Sequence, residues 1–102
     1  MKCLFSIIYK NTLRPNKSIE DSKKWLKKYW PLHQELGALE MDVYQPLYFS
    51  EAGVFYVKYK LKSLDKYLEG VSSAKFEEML KSLGEIVDTA QATSQVMIEI
   101  SV

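Results

Sequence analysis

The sequence predicts an α+β fold: one four-stranded antiparallel sheet with both helices packed on the same side. Three observations predict it. Apolar patterns of period two and period 3.6 alternate along the 102 residues in the order β-α-β-β-α-β. A short loop ending at Gly53 joins the two middle strands, which suits antiparallel neighbours. All four strands carry apolar residues on both faces, so the face without helices must meet a second copy, a ligand or both.

The first strand is read over residues 2–10, with Cys3, Phe5, Ile7 and Tyr9 on one face and Leu4, Ser6 and Ile8 on the other. Which of these rows meets the helices is left open. Residues 11–17 form a polar loop in which Pro15 and Asn16 favour a turn. Ser18 is placed to cap the first helix, and Asp21 falls in its first turn, where negative charge is favoured. Along that helix Ile19, Trp25, Leu26, Tyr29, Trp30 and Leu36 share one side. Lysines 23, 24, 27 and 28 share the other. Pro31 removes one backbone donor and is expected to kink the helix or mark its final turns, with Gly37 as the stop.

Strand two is read over residues 39–48. Leu39, Met41, Val43 and Leu47 face one way, and Glu40, Asp42, Tyr44 and Tyr48 the other. A loop over 49–53 leads to strand three, 54–61, where Phe55, Val57, Tyr59 and Leu61 alternate with Val54, Tyr56, Lys58 and Lys60. A five-residue loop sets Tyr48 opposite Val54, Tyr44 opposite Lys58 and Asp42 opposite Lys60. A short helical turn starts at Ser63 and stops at Gly70, and a second helix spans 73–88. Strand four places Val96, Ile98 and Ile100 on the helix side and Met97 and Glu99 on the other.

Composition narrows the function. Fourteen Lys and Arg against 13 Asp and Glu leave a net charge of +1, without the basic excess of a nucleic-acid binder. Cys3 is the single cysteine, so no intramolecular disulfide forms, and its spacing with Phe5 and Ile7 suits a small core residue. No stretch is long and apolar enough for a membrane span, and a cytoplasmic protein without membrane association is expected. One His and one Cys offer no metal-ligand set, and no phosphate loop or dinucleotide fingerprint is present, so no metal or cofactor is expected. An RNA-recognition module shares this order of elements. The run from Ala52 to Tyr59 keeps Gly53, Tyr56, Val57 and Tyr59 of its base-stacking strand but departs at Ala52, Val54 and Phe55. No nucleic-acid partner is expected.

The run Leu13-Arg-Pro-Asn-Lys-Ser-Ile-Glu-Asp21, the Tyr29-Trp30 pair, His33, the Ser72-Ser73 helix start and Asp88 resemble the EthD-type and NIPSNAP-type members of the dimeric α+β barrel superfamily. Two residues, Pro31 and Leu32, separate Trp30 from His33, where EthD-like chains usually have three. The resemblance implies one ferredoxin-like domain over residues 1–102 whose sheet joins a second copy to enclose a barrel. Cofactor-free monooxygenases and isomerases are among the activities it implies, alongside many proteins of unassigned function.

His33 is the only side chain whose ordinary pKa lies near neutrality, and it is the candidate catalytic acid or base; a buried structural histidine is the competing reading. On the sheet face away from the helices, Tyr44, Tyr48 and Tyr56 are candidate hydrogen-bond donors to a carbonyl or phenolate. Lys58 there could stabilise an enolate or pair with Asp42 or Glu99, and Met97 adds apolar lining. These residues suit a small, largely apolar ligand that is aromatic or bears a carbonyl. The same residues suit a homodimer interface, and the sequence leaves catalysis and simple binding both open.

Overall fold

A computed structural model describes residues 4–47, 53–100 and 102. The elements are β1 (Phe5–Thr12), α1 (Ile19–Glu35), β2 (Ala38–Tyr44), β3 (Val54–Leu61), α2 (Leu64–Gly70), α3 (Ala74–Leu83), a 3-10 turn (Thr89–Gln91) and β4 (Thr93–Ile98). The strands form one antiparallel sheet in the order β2-β3-β1-β4. This is the ferredoxin-like α+β arrangement, with the expected short helical turn present as α2. Cys3, Tyr48 and the loop residues 49–52 lie outside the described residues.

The helix-facing side of the sheet is set by β3, where Phe55, Val57, Tyr59 and Leu61 are all buried. In β1, Phe5, Ile7 and Tyr9 pair opposite Leu61, Tyr59 and Val57, so this row faces the helices and Ser6 and Ile8 face away. Helix α1 answers with Ser22, Trp25, Leu26 and His33, spaced at three, four and eleven residues along one stripe. Its start is fixed by Asp21, whose carboxylate accepts from the Ser18 backbone N–H at 2.8 Å and from the Ser18 hydroxyl at 3.2 Å. Pro31 sits on the exposed side four residues before the helix ends, so the helix continues past it to Glu35. Gly37 then turns the chain with φ of 97°, a conformation that favours glycine.

Three expectations are corrected. The β2–β3 register is two residues away from the one expected: Tyr44 pairs with Tyr56, Asp42 with Lys58 and Glu40 with Lys60. Pro46 has no N–H to give to a ladder, so β2 ends at Tyr44 and the connection is longer than a five-residue loop. A two-residue shift preserves the faces, and Asp42 still shares one with Lys60. The second correction is Leu39. An irregularity between Ala38 and Glu40 gives Ala38 the inward position, and Leu39 is left 52% exposed.

The third is α3, which ends at Leu83 instead of near Asp88. Residues beyond it are taken up by the end of β1: the Arg14 N–H donates to the Ile86 carbonyl at 2.9 Å and the Asp88 N–H to the Thr12 carbonyl at 2.9 Å. Arg14 also donates its Nε–H to the Gly84 carbonyl at 2.7 Å, satisfying an end of the helix. No helix among the described residues is long and apolar enough to cross a membrane.

Candidate functional site

Helices α1 and α3 do not seal the sheet beneath them. A cavity of about 600 Å³ lies between the two layers. Trp25 and Leu26 of α1, Phe55 and Val57 of β3, and Phe76 and Met79 of α3 give it apolar walls. Its mouth is marked by the exposed residues Glu77 and Lys81 of α3, Thr89 of the 3-10 turn and Thr93 and Ser94 of β4. The early end of α3 and the turn after it form this rim.

Polar groups sit among the apolar walls. His33 is buried, and its ring lies flat on Tyr59 with centroids 4.2 Å apart. Its Nδ1 is 2.9 Å from the Tyr29 carbonyl. A carbonyl only accepts, so Nδ1 carries the proton and Nε2 is left with the lone pair. Burial pushes the imidazole pKa down, and the bond to the Tyr29 carbonyl opposes this only in part. His33 is therefore a neutral imidazole at neutral pH.

Tyr9 and Tyr59 line the same cavity and meet edge to face at 6.0 Å. The Tyr9 hydroxyl lies 2.7 Å from the hydroxyl of Tyr67, which is fully buried behind it on α2. Burial pushes all three phenols above the ordinary tyrosine range, so they act as protonated donors, not as bases. Asn11 and Ser22, both buried, complete the polar lining. The Ser22 hydroxyl and the Trp25 indole N–H are buried without a hydrogen-bond partner among the described residues. Unpaired buried donors are costly, and two of them in residues that border a cavity fit a site whose occupant carries acceptor oxygens.

The structure brings His33, the candidate acid or base, into the cavity wall. The other predicted site residues are not gathered with it. Tyr44, Tyr56, Lys58 and Met97 lie on the opposite face of the sheet, and Tyr48 is outside the described residues. There they form cross-strand rows: Tyr44 beside Tyr56, and Asp42 beside Lys58 beside Ile8. Sequence reasoning missed Tyr9, Asn11, Ser22, Trp25 and Tyr59 as lining. A signal for two of them was present: Asn11 continues the Phe5, Ile7, Tyr9 alternation, and Ser22 stands three and four residues before Trp25 and Leu26.

No family model matches the chain, and no curated protein matches it. Solved structures do. A Bordetella bronchiseptica protein provisionally described as an antibiotic biosynthesis monooxygenase superposes with a TM-score of 0.74 at 17% identity, covering 99% of each chain. A Caulobacter crescentus protein with the same provisional description gives 0.73 at 16% identity, covering 96% of this chain and 91% of that one. SnoaB, a cofactor-independent oxygenase from Streptomyces nogalater, gives 0.68 at 7% identity, covering 99% and 95%. The chain shares the fold of these monooxygenase-type structures over essentially its whole length. These structures support the expected ferredoxin-like fold and do not single out EthD-type or NIPSNAP-type proteins.

Proposed function

We propose that the chain binds a small, largely apolar compound, aromatic or carbonyl-bearing, in the cavity between helices and sheet, and acts on it as a cofactor-free monooxygenase-type or isomerase-type enzyme. The observation that carries this reading is His33: a neutral imidazole in an apolar cavity wall, with Nδ1 committed to the Tyr29 carbonyl and Nε2 holding the lone pair. Such a nitrogen accepts a proton from an acidic C–H or phenolic O–H. The C–H electron pair moves into a C=C bond and the ligand oxygen takes the negative charge. Returning the proton to a different carbon is an isomerisation. Reaction of the electron-rich carbon with dioxygen turns a CH₂ group into a carbonyl, with the second oxygen atom leaving as water. The description of SnoaB as a cofactor-independent oxygenase supports the second route by fold alone.

The homodimer belongs to this reading as well. Ile8, Tyr44, Tyr56 and Met97 occupy the sheet face that none of the three helices covers, and a second copy placed there closes a barrel. The candidate ligand contacts Tyr44, Tyr56, Lys58 and Met97 then belong to the interface side of the sheet, and His33 to the cavity side.

Deuterium exchange tests the chemistry. 1-Tetralone, a fused-ring ketone, is incubated with the protein in D₂O, and loss of its α-proton signal is followed by NMR. Wild type is expected to accelerate exchange, and His33→Gln to lower that acceleration about a hundredfold or more. Binding without accelerated exchange would leave a non-catalytic binding protein, and no binding would sink the cavity as the site.

A further inference from the structure

We propose that the Tyr67 hydroxyl donates to the Tyr9 oxygen and thereby leaves the Tyr9 proton for an oxygen atom of the bound ligand: Tyr9 is the ligand's hydrogen-bond donor, and Tyr67 positions it. The inference rests on the cavity reading above and names the group that recognises the ligand there.

Two hydroxyls 2.7 Å apart leave the direction of donation open, since either can give the proton. Their surroundings decide it. Tyr67 is 0% exposed, and among the described residues its hydroxyl has Tyr9 as its one hydrogen-bond partner. It is boxed in by rings, with Phe76 edge-on at 6.2 Å and His33 at 6.5 Å. Were Tyr9 the donor, the Tyr67 proton would be left in the core with no acceptor, a costly arrangement. With Tyr67 as donor, the remaining proton belongs to Tyr9, which borders the cavity, where water or a ligand oxygen accepts it. An O–H that itself accepts a bond is also a stronger donor, so the buried pair sharpens Tyr9 toward the ligand. Burial keeps both phenols protonated at neutral pH, as this role requires.

The ligand class follows. Walls of Trp25, Phe55, Phe76 and Met79 in about 600 Å³ suit a fused-ring aromatic body, and a donor at Tyr9 calls for a carbonyl or phenolic oxygen on it. When His33 removes a proton from such a compound, the charge that develops on that oxygen is what Tyr9 stabilises.

The test uses two probes of the same shape, 1-tetralone and tetralin, which lacks the oxygen. Wild type is expected to bind both, with the infrared carbonyl stretch of bound tetralone at lower frequency than in Tyr9→Phe. Tyr9→Phe is expected to weaken tetralone about tenfold and leave tetralin unchanged, the loss of roughly one hydrogen bond. Tyr67→Phe, which leaves the Tyr9 hydroxyl in place, is expected to weaken tetralone about threefold with an intermediate carbonyl frequency, a shift that a merely structural Tyr67 would not cause. Because Tyr9→Phe strands the Tyr67 hydroxyl, the double variant with Phe at both positions is measured beside it. It leaves no unpaired group and should show the same selective loss of tetralone. An unchanged carbonyl frequency and an unchanged tetralone-to-tetralin affinity ratio in these variants would overturn the donor pair while sparing the cavity. Failure of wild type to bind either probe would overturn both.

Discussion

The His33 imidazole is stacked on the Tyr59 ring, centroids 4.2 Å apart and planes 8° from parallel. Trp30 stacks on Tyr59 as well, at 6.4 Å and 13°. The stack holds the plane of the imidazole, and the Tyr29 carbonyl, 2.9 Å from Nδ1, holds its tautomer. A side chain fixed in both respects has its remaining nitrogen preset for proton transfer.

His33 should titrate below its ordinary value of 6.5, because burial disfavours the imidazolium. The folded protein then binds fewer protons than the unfolded chain as pH drops below about 6.5. Its contribution to stability is therefore constant above that pH and is lost downward from about 6.5 toward the folded value. Thermal melts of wild type and His33→Gln between about pH 7.5 and 5 should diverge, with wild type losing more on acidification. Melts that stay parallel would show that the imidazole is not buried as described. Base-dependent exchange should decline over the lowered, folded-state pKa.

Gly70 is where the end of α2 meets α1. A Cβ there would run into the Leu36 side chain, whose terminal methyl and branch carbon occupy that space. Gly70→Ala should destabilise the fold by about 1–3 kcal/mol, the usual cost of overpacking. Combining it with Leu36→Ala should recover part of that loss, so urea unfolding of the two single variants and the double would be non-additive.

Arg14 ties the end of β1 to the end of α3 by donating to the Gly84 carbonyl at 2.7 Å. Arg14→Ala should cost about 1 kcal/mol or less of stability, since the pair is exposed. Its readout is local: amides near residues 84–88, at the cavity rim, should exchange faster than those of β3. Uniform exchange across the protein would argue that the rim does not depend on this bond.

The proposed homodimer predicts a concentration-stable dimer in sedimentation velocity at micromolar protein. Ile8 sits in the middle of the uncovered face, between Lys58 and Gln95. Ile8→Lys would set a second cation directly beside Lys58 and bury it in the interface, and should yield folded monomer. A wild-type monomer would remove the barrel from the proposal, leaving the cavity within one chain.

Alternation and helical periodicity are properties of neighbouring residues, and they carried the order of elements, the α1 stripe and the pairing of Phe55, Val57 and Tyr59 with the helices. They also carried the Ser18 cap and the Gly37 turn, which depend on local backbone chemistry. The strand register went astray by two residues because Pro46 acts through a missing donor that face patterns do not register. The length of α3 was lost for a related reason: its last turn competes with backbone bonds from Thr12 and Arg14, more than 70 residues away in sequence.

The sequence by itself determined an α+β fold with helices on one side of the sheet, and it singled out His33. Only the tertiary structure showed that a cavity lies beneath the helices, bordered by Tyr9, Asn11, Ser22 and Tyr59. A pattern of apolar residues states which face of an element turns inward. Whether two inward faces meet or stand apart depends on where α3 stops and how α1 crosses the sheet, and those distances are set by contacts between residues far apart in the chain.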